Sequence, residues 1–121
     1  MSLPLGVLVV EDEPLIRNDI ADFLRSEGFL VFEASNADEA IAILETGVMI
    51  QAMFTDIDMP GSMDGLKLSA AVRDRWPPIK IVATSGHRAM AAADLPEGSA
   101  FFGKPYDHAG VATCLRGILS L

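Results

Sequence analysis

Acidic, hydroxyl and lysine side chains stand at or directly after the ends of four short apolar segments of the chain. In chain order they are Glu11 and Asp12, Asp56 and Asp58, Thr84 and Ser85, and Lys104. Mg²⁺ prefers carboxylate and phosphate oxygens as ligands, and a lysine offers a compact positive charge to a phosphate oxygen. A hydroxyl adds a hydrogen-bond donor. This set of side chains predicts Mg²⁺-dependent phosphoryl transfer, a reaction that depends on positioning and charge neutralisation.

Each of these pieces is common by itself, and the prediction depends on their joint occurrence. Acids after a strand usually belong to loops or helix caps, and Ser-Gly and Lys-Pro are ordinary turn dipeptides. Two carboxylates about 4 Å apart, however, repel each other by roughly 4 kcal/mol at an effective dielectric constant of about 20. A divalent cation and a lysine relieve this repulsion, so we expect the acids and Lys104 to act together.

The apolar segments have the composition of buried strands. They cover residues 6–10, 29–33, 50–55, 79–84 and 99–102. Near-continuous apolar runs are typical of strands that are covered on both faces, and helical patterns lie between them, including a short Ala-rich one at 88–94. This alternation predicts an α/β domain with a parallel sheet and helices on both faces. Because ligands bind at the carboxyl ends of such strands, the chemical side chains should meet at one edge.

Helix boundaries are also visible in the sequence. Pro14 is expected in the first turn of the first helix, which should bury a stripe that includes Ile16 and Ile20. Asn36 is a good N-cap for the second helix, and Glu39 stands three residues later, as in a capping box.

The composition limits the classes of function. The 121 residues suit one domain, and 9 basic against 17 acidic residues give a net charge of −8. This charge argues against direct binding to nucleic acid or to an anionic membrane surface. Cys114 is the only cysteine, so no internal disulfide can form, and a reducing cytoplasm is the expected location. The first apolar segment is too short to span a membrane.

The motifs resemble those of the receiver domains of two-component response regulators, of the CheY-like type, along almost the whole chain. The matching residues are Glu11-Asp12, Asp56 with Met59-Pro60 and Gly65, Ser85-Gly86, and Lys104-Pro105. The resemblance implies a doubly wound, flavodoxin-like sheet of five parallel strands in the order 2-1-3-4-5, forming a single receiver domain over residues 1–121.

The resemblance also implies roles for the matching residues. Asp12 and Asp56 would ligate Mg²⁺ directly, Glu11 through water, and Asp58 through its backbone carbonyl. Asp56 would take the phosphoryl group from a phosphohistidine, and Lys104 would hold a phosphoryl oxygen.

Further residues would switch or tune the domain. Ser85, beside Thr84, would move toward the phosphoryl group, and Phe101 would turn inward behind it. The Lys104–Pro105 peptide bond would be cis, with Pro105 aiming the lysine. His87 and Asp58 lie two residues beyond Ser85 and Asp56, and we hypothesise that this pair sets the phosphoryl lifetime.

The expected partners are a sensor histidine kinase or phosphotransfer protein and a downstream target that the sequence does not identify. The domain would catalyse only its own phosphorylation and dephosphorylation, so it is not an enzyme acting on other substrates.

Three departures from the family pattern stand out. The 60–65 loop is one residue longer than the commonest form, only 18 residues separate Ser85 from Lys104, and Phe101 replaces the frequent tyrosine. The short spacing affects the usual dimerisation face, so a homodimer is left open.

Two other interpretations use part of the pattern. A receiver fold can act as an interaction module that needs no phosphorylation, although the complete acid, hydroxyl and lysine set argues against a decayed site. A topoisomerase–primase (Toprim) domain also places a Glu and an Asp-x-Asp motif after strands, for Mg²⁺-dependent nucleotidyl transfer. That interpretation leaves Ser85 and Lys104 unexplained and conflicts with the negative charge.

Overall fold

The computed structural model describes residues 4–61, 63–86 and 94–119. The strands are β1 Gly6–Val10, β2 Leu30–Ala34, β3 Ala52–Asp56, β4 Lys80–Ser85 and β5 Ala100–Gly103. The helices are α1 Pro14–Ser26, α2 Ala37–Glu45, α3 Gly65–Arg75 and α4 His108–Leu119. Residues 87–93, which include His87 and nearly all of the helix predicted at 88–94, lie outside the described part of the chain.

The five strands form one parallel sheet in the order β2-β1-β3-β4-β5, which confirms the predicted fold. The register brings the carboxyl ends of the strands together. Val10 is paired with Thr55, Asp56 with Thr84, and Ser85 with Gly103. Side chains that follow these residues are therefore neighbours at one edge of the sheet.

Helices cover both faces of the sheet. On one face Val7 and Val9 of β1 pack with residues of α1 and α4, and on the other Leu8 and Val10 pack with residues of α2 and α3. Every residue of β1 and β3 is buried, because successive side chains enter opposite core layers. In the described residues no helix has both the length and the apolar character needed to cross a membrane.

The predicted helix ends are largely confirmed. Pro14 is the first residue of α1, and the Asn36 side chain accepts a hydrogen bond of 2.8 Å from the Glu39 N–H at the start of α2. The Glu39 carboxylate in turn accepts from the backbone N–H of Ser35 rather than from that of Asn36. The prediction that Ile16 belongs to the buried stripe of α1 is wrong, because Ile16 is 39% exposed. It lies in the first turn of α1, one turn before Ile20, and is not part of the core cluster to which Ile20 belongs.

Candidate functional site

The carboxyl edge of the sheet gathers the chemical side chains that the sequence singled out. Glu11 and Asp12 follow β1, Asp56 ends β3, Ser85 ends β4, and Lys104 follows β5. The strand order reverses between β1 and β3, and this is the point at which open α/β sheets bind their ligands.

Three carboxylates form a compact group at this point. Glu11, Asp12 and Asp56 each offer an oxygen, and these oxygens lie within 4.8 Å of one another. Glu11 and Asp56 are 4% and 3% exposed, whereas Asp12 is nearer to solvent. Burial raises the pKa of Glu11 to about 7, opposed by a hydrogen bond from the Glu13 N–H and assisted by the charge of Asp56. Hard oxygen donors packed this closely fit a divalent cation such as Mg²⁺, which would favour their ionised form.

Lys104 supplies a positive charge to this group. Its Nζ atom lies 2.8 Å from Oδ2 of Asp56 and 3.8 Å from Oε1 of Glu11. Burial alone would lower the pKa of Lys104, but the hydrogen bond and the negative charge of Asp56 raise it above its usual value. The lysine is therefore charged at neutral pH. The peptide bond between Lys104 and Pro105 is cis, as the resemblance implied.

The backbone around Asp56 is held on several sides. The Asp58 N–H donates to Oδ1 of Asp56 at 3.0 Å, and the Ile57 N–H donates to the Thr84 carbonyl at 2.9 Å. Gly65, at the start of α3, packs so closely that a Cβ atom there would overlap the Asp56 carbonyl oxygen and the Ile57 Cα atom. The sequence showed that a glycine stands at this place, but only the fold shows that it must be small because it touches the Asp56 backbone.

The side chains predicted to switch lie beside this group. Ser85 is fully buried, and its Oγ atom donates a hydrogen bond of 2.6 Å to Oδ2 of Asp58. The Thr84 hydroxyl is also buried and has no hydrogen-bond partner among the described residues. Phe101 is partly buried and packs against Ile57 and Ala83. The Asp58 side chain thus lies against Ser85 and outside the three-carboxylate group, a contact that nothing in the sequence indicated.

A cavity of about 400 Å³ adjoins the site. Its lining residues are Ile16, Asp19, Lys104, Pro105, Tyr106 and His108. The Tyr106 ring lies edge-on to Phe54, with ring centres 5.2 Å apart, and 5.8 Å from the ring of His108. Sequence reasoning did not single out Tyr106, although its place two residues after Lys104 could have suggested it.

The fold and the site together define a class, namely doubly wound α/β domains with an acidic site at the strand-order switch point. Within that class a family model described as the response regulator receiver domain matches residues 7–111. The chain therefore belongs to the receiver-domain family of response regulators.

Relatives and solved structures agree with this assignment. The chain is 39% identical over 94 residues to an NtrX-like response regulator of Rickettsia bellii, in a match that covers 77% of this chain and 19% of that protein. It is 35% identical over 117 residues to the sensor kinase CckA of Brucella abortus, covering 93% of this chain and 12% of the kinase. A response regulator receiver protein from Sinorhizobium medicae superposes with a TM-score of 0.89 at 30% identity, over 96% of this chain and 94% of that one. The chain thus spans less than a fifth of the length of these two curated relatives.

Proposed function

We propose that Asp56 accepts a phosphoryl group from a phosphohistidine in a Mg²⁺-dependent reaction. One observation carries the proposal: the buried Asp56 carboxylate lies within reach of both Glu11 and Asp12 and accepts a hydrogen bond of 2.8 Å from Lys104. This arrangement combines a nucleophile, a cation and a set of oxygen ligands at one point, which phosphoryl transfer requires. Membership of the receiver family supports the assignment.

The oxygen ligands of the chain would hold the metal. Asp12 and Asp56 would ligate Mg²⁺ directly, Glu11 through water, and the backbone carbonyl of Asp58 would complete the protein ligands. When bound, Mg²⁺ supplies positive charge that offsets the charge of the carboxylates and of the phosphoryl oxygens.

In the transfer itself the Asp56 carboxylate is the nucleophile. An oxygen of Asp56 attacks the phosphorus in line with the bond to the histidine nitrogen. An O–P bond forms, the P–N bond breaks, and its electron pair returns to the imidazole, leaving an acyl phosphate on Asp56. Lys104, aimed by Pro105, is expected to hold a phosphoryl oxygen. Ser85 and Phe101, with Thr84 beside them, would then change conformation, a response to the added charge that selects a second state of the domain.

The partners follow from this chemistry. We infer that a sensor histidine kinase or a phosphotransfer protein supplies the phosphoryl group and that a downstream protein detects the switched surface. The domain would catalyse only its own phosphorylation and dephosphorylation. The cytoplasmic location, the single domain over residues 1–121, the homodimer and the tuning of the phosphoryl lifetime by His87 and Asp58 stay predictions.

The two alternatives are less well supported. An interaction module that needs no phosphorylation has no use for a complete site with a charged lysine against a buried carboxylate. A Toprim domain would leave the contact between Lys104 and Asp56 without a role, and the family match is to receiver domains.

Intact-protein mass measurement tests the proposal. The full chain is incubated with acetyl phosphate and Mg²⁺, and one phosphoryl adduct is expected. Asp56→Asn should abolish the adduct, and EDTA should prevent it in the unchanged protein. Asp74→Asn, a substitution of the same type at an exposed helical position, is the matched control and should leave the adduct intact. An adduct that persists in Asp56→Asn would refute the assignment of the acceptor.

A further inference from the structure

The proposed transfer gives no role to the hydrogen bond between the Ser85 hydroxyl and the Asp58 carboxylate. Its length of 2.6 Å is within the normal range for a hydroxyl donating to a carboxylate oxygen, and hydrogen bonds to carboxylates are roughly twice as strong as neutral ones. The donor is fully buried at the end of β4, whereas the acceptor belongs to the exposed Asp58 in the loop after β3. The bond therefore crosses from the loop of the acceptor residue to the neighbouring strand.

Asp58 is also tied to Asp56 through its backbone. Its N–H donates to Oδ1 of Asp56, while Lys104 donates to Oδ2 of the same carboxylate. A phosphoryl group on Asp56 would carry about two negative charges in place of the single charge of the carboxylate, close to the Asp58 side chain. Like charges this close repel each other, and the new oxygens offer Ser85 a competing hydrogen-bond acceptor.

We propose that the Asp58 carboxylate is a latch that holds the Ser85 hydroxyl in the unphosphorylated protein and releases it when charge arrives on Asp56. The proposal rests on the proposed function and adds the interaction that stabilises the resting state. Asp58 is a positioning residue, since it acts through Ser85 and its side chain lies outside the three-carboxylate group.

The latch has a measurable consequence for the balance between the two states. A contact that is present only before phosphorylation favours the resting state by its own free energy, and a bound phosphoryl group must overcome it. Removing the latch should make the phosphorylated state easier to reach. The effect must depend on Ser85, because without the hydroxyl there is nothing for Asp58 to hold.

The first part of the test needs no metal. Asp58→Ala, Ser85→Ala and the double variant of the full chain are unfolded with denaturant in EDTA, together with the unchanged protein. The Asp58→Ala substitution should raise the unfolding equilibrium constant roughly tenfold more when Ser85 is present than when it is alanine, as expected for a hydrogen bond to a charged group. Equal effects in the two backgrounds would show that the bond contributes nothing and would overturn the latch.

The second part uses beryllofluoride as a mimic of the phosphoryl group. The affinity of the same four proteins for beryllofluoride is measured in saturating Mg²⁺. Asp58→Ala removes a negative charge and should raise affinity for the mimic in either background. With Ser85 present the increase should be larger, by roughly the same tenfold factor, because only then is a latch released. Alanine at position 58 keeps the backbone carbonyl that is expected to bind Mg²⁺. Comparing Ser85→Ala with the double variant gives the effect of removing the Asp58 charge alone, and this effect is subtracted from the one measured with Ser85 present.

The outcomes separate the latch from the proposed function. A larger increase in the Ser85 background supports the latch. Equal increases overturn it and leave the phosphoryl site standing, since the mimic still binds. If none of the four proteins binds the mimic, both the phosphoryl site and the latch are refuted.

Discussion

Lys104 is the residue on which the charge balance of the site depends. Its ammonium group contacts two buried carboxylates, those of Asp56 and Glu11, and should hold a phosphoryl oxygen during transfer. We expect Lys104→Ala to slow phosphorylation by acetyl phosphate roughly 100-fold, the scale on which removing one charge-stabilising donor acts. The initial rate of adduct formation, measured by intact mass, gives the result.

Lys80 provides the matched control for this change. It is exposed and begins β4 at the opposite end of the strand from Ser85. Lys80→Ala should leave the rate within a small factor of that of the unchanged protein. Equal rates in the Lys104 and Lys80 variants would contradict the role given to Lys104.

Gly65 is a second residue whose size is dictated by the site. A methyl group there would meet the backbone of Asp56 and Ile57, neither of which can move without shifting the acceptor. We expect Gly65→Ala to lower the free energy of unfolding by about 1–3 kcal/mol, as for other overpacked positions, and to slow phosphorylation as well. Denaturant unfolding and the adduct rate measure the two effects.

Gly117 shows what the same substitution does where space is available. It lies in α4, and a Cβ atom there would meet no atom within 4 Å apart from the adjoining residues and backbone of its own helix. Gly117→Ala should therefore stabilise the protein by up to about 1 kcal/mol through helix propensity, with no change in phosphorylation. If both alanines were stabilising, the close packing of Gly65 against the acceptor loop would be disproved.

At the scale of elements, β3 and β4 hold the acceptor and the switch hydroxyl as members of one ladder. Both strands continue one residue further than the apolar pattern predicted, so that Asp56 and Ser85 are themselves strand residues. Asp56 is paired with Thr84, and the next backbone hydrogen bond joins Ile57 to the Thr84 carbonyl. The positions of nucleophile and switch are thus fixed by backbone hydrogen bonds.

The N-terminus of α2 offers a test of an element whose boundary was predicted. The Asn36 side chain satisfies the Glu39 N–H, so Asn36→Ala should cost about 1 kcal/mol of unfolding free energy. Asn18, exposed within α1, is the matched control, because alanine is the better helix former there and should not destabilise. Denaturant unfolding of both variants is the measurement, and an equal loss in the two would contradict the capping role.

At the scale of the whole molecule, packing leaves the ring of Tyr106 partly buried beside the acidic site. Burial raises the pKa of Tyr106 to about 12, and the charges of Glu11, Asp56 and Asp19 add to the effect. In the unfolded chain the phenol titrates near 10. Because the folded value is the higher one, the stability linked to this group is fully present below pH 10 and is lost as the pH rises through 12.

This pH dependence can be observed directly, because Tyr106 is the only tyrosine. The ultraviolet absorbance of the phenolate should appear near pH 12 in the folded protein and near pH 10 in denaturant. The free energy of unfolding, measured over the same pH range, should decrease between these two pH values. A folded protein whose tyrosine titrates near 10 would show that burial does not raise the pKa of Tyr106.

Much of the protein follows from local patterns in the sequence. The apolar runs predicted five strands in a parallel sheet, and Pro14 and Asn36 marked helix starts that the structure contains. Acids, hydroxyl and lysine at strand ends predicted that Asp56, Lys104 and their neighbours would meet. Such inferences succeed because strand burial, helix caps and the direction of parallel strands depend on neighbours in sequence and on a common sheet geometry.

What only the tertiary structure decided depends on contacts between distant segments. The Ser85–Asp58 hydrogen bond joins residues 27 positions apart. Ile16, in the first turn of α1, is exposed although Ile20 one turn later is buried, and Gly65 must be small because α3 starts against the Asp56 backbone. The pKa values of Glu11 and Tyr106 likewise depend on how much water the fold excludes. Sequence patterns identify the groups, whereas their distances and burial arise only when the strands and helices pack.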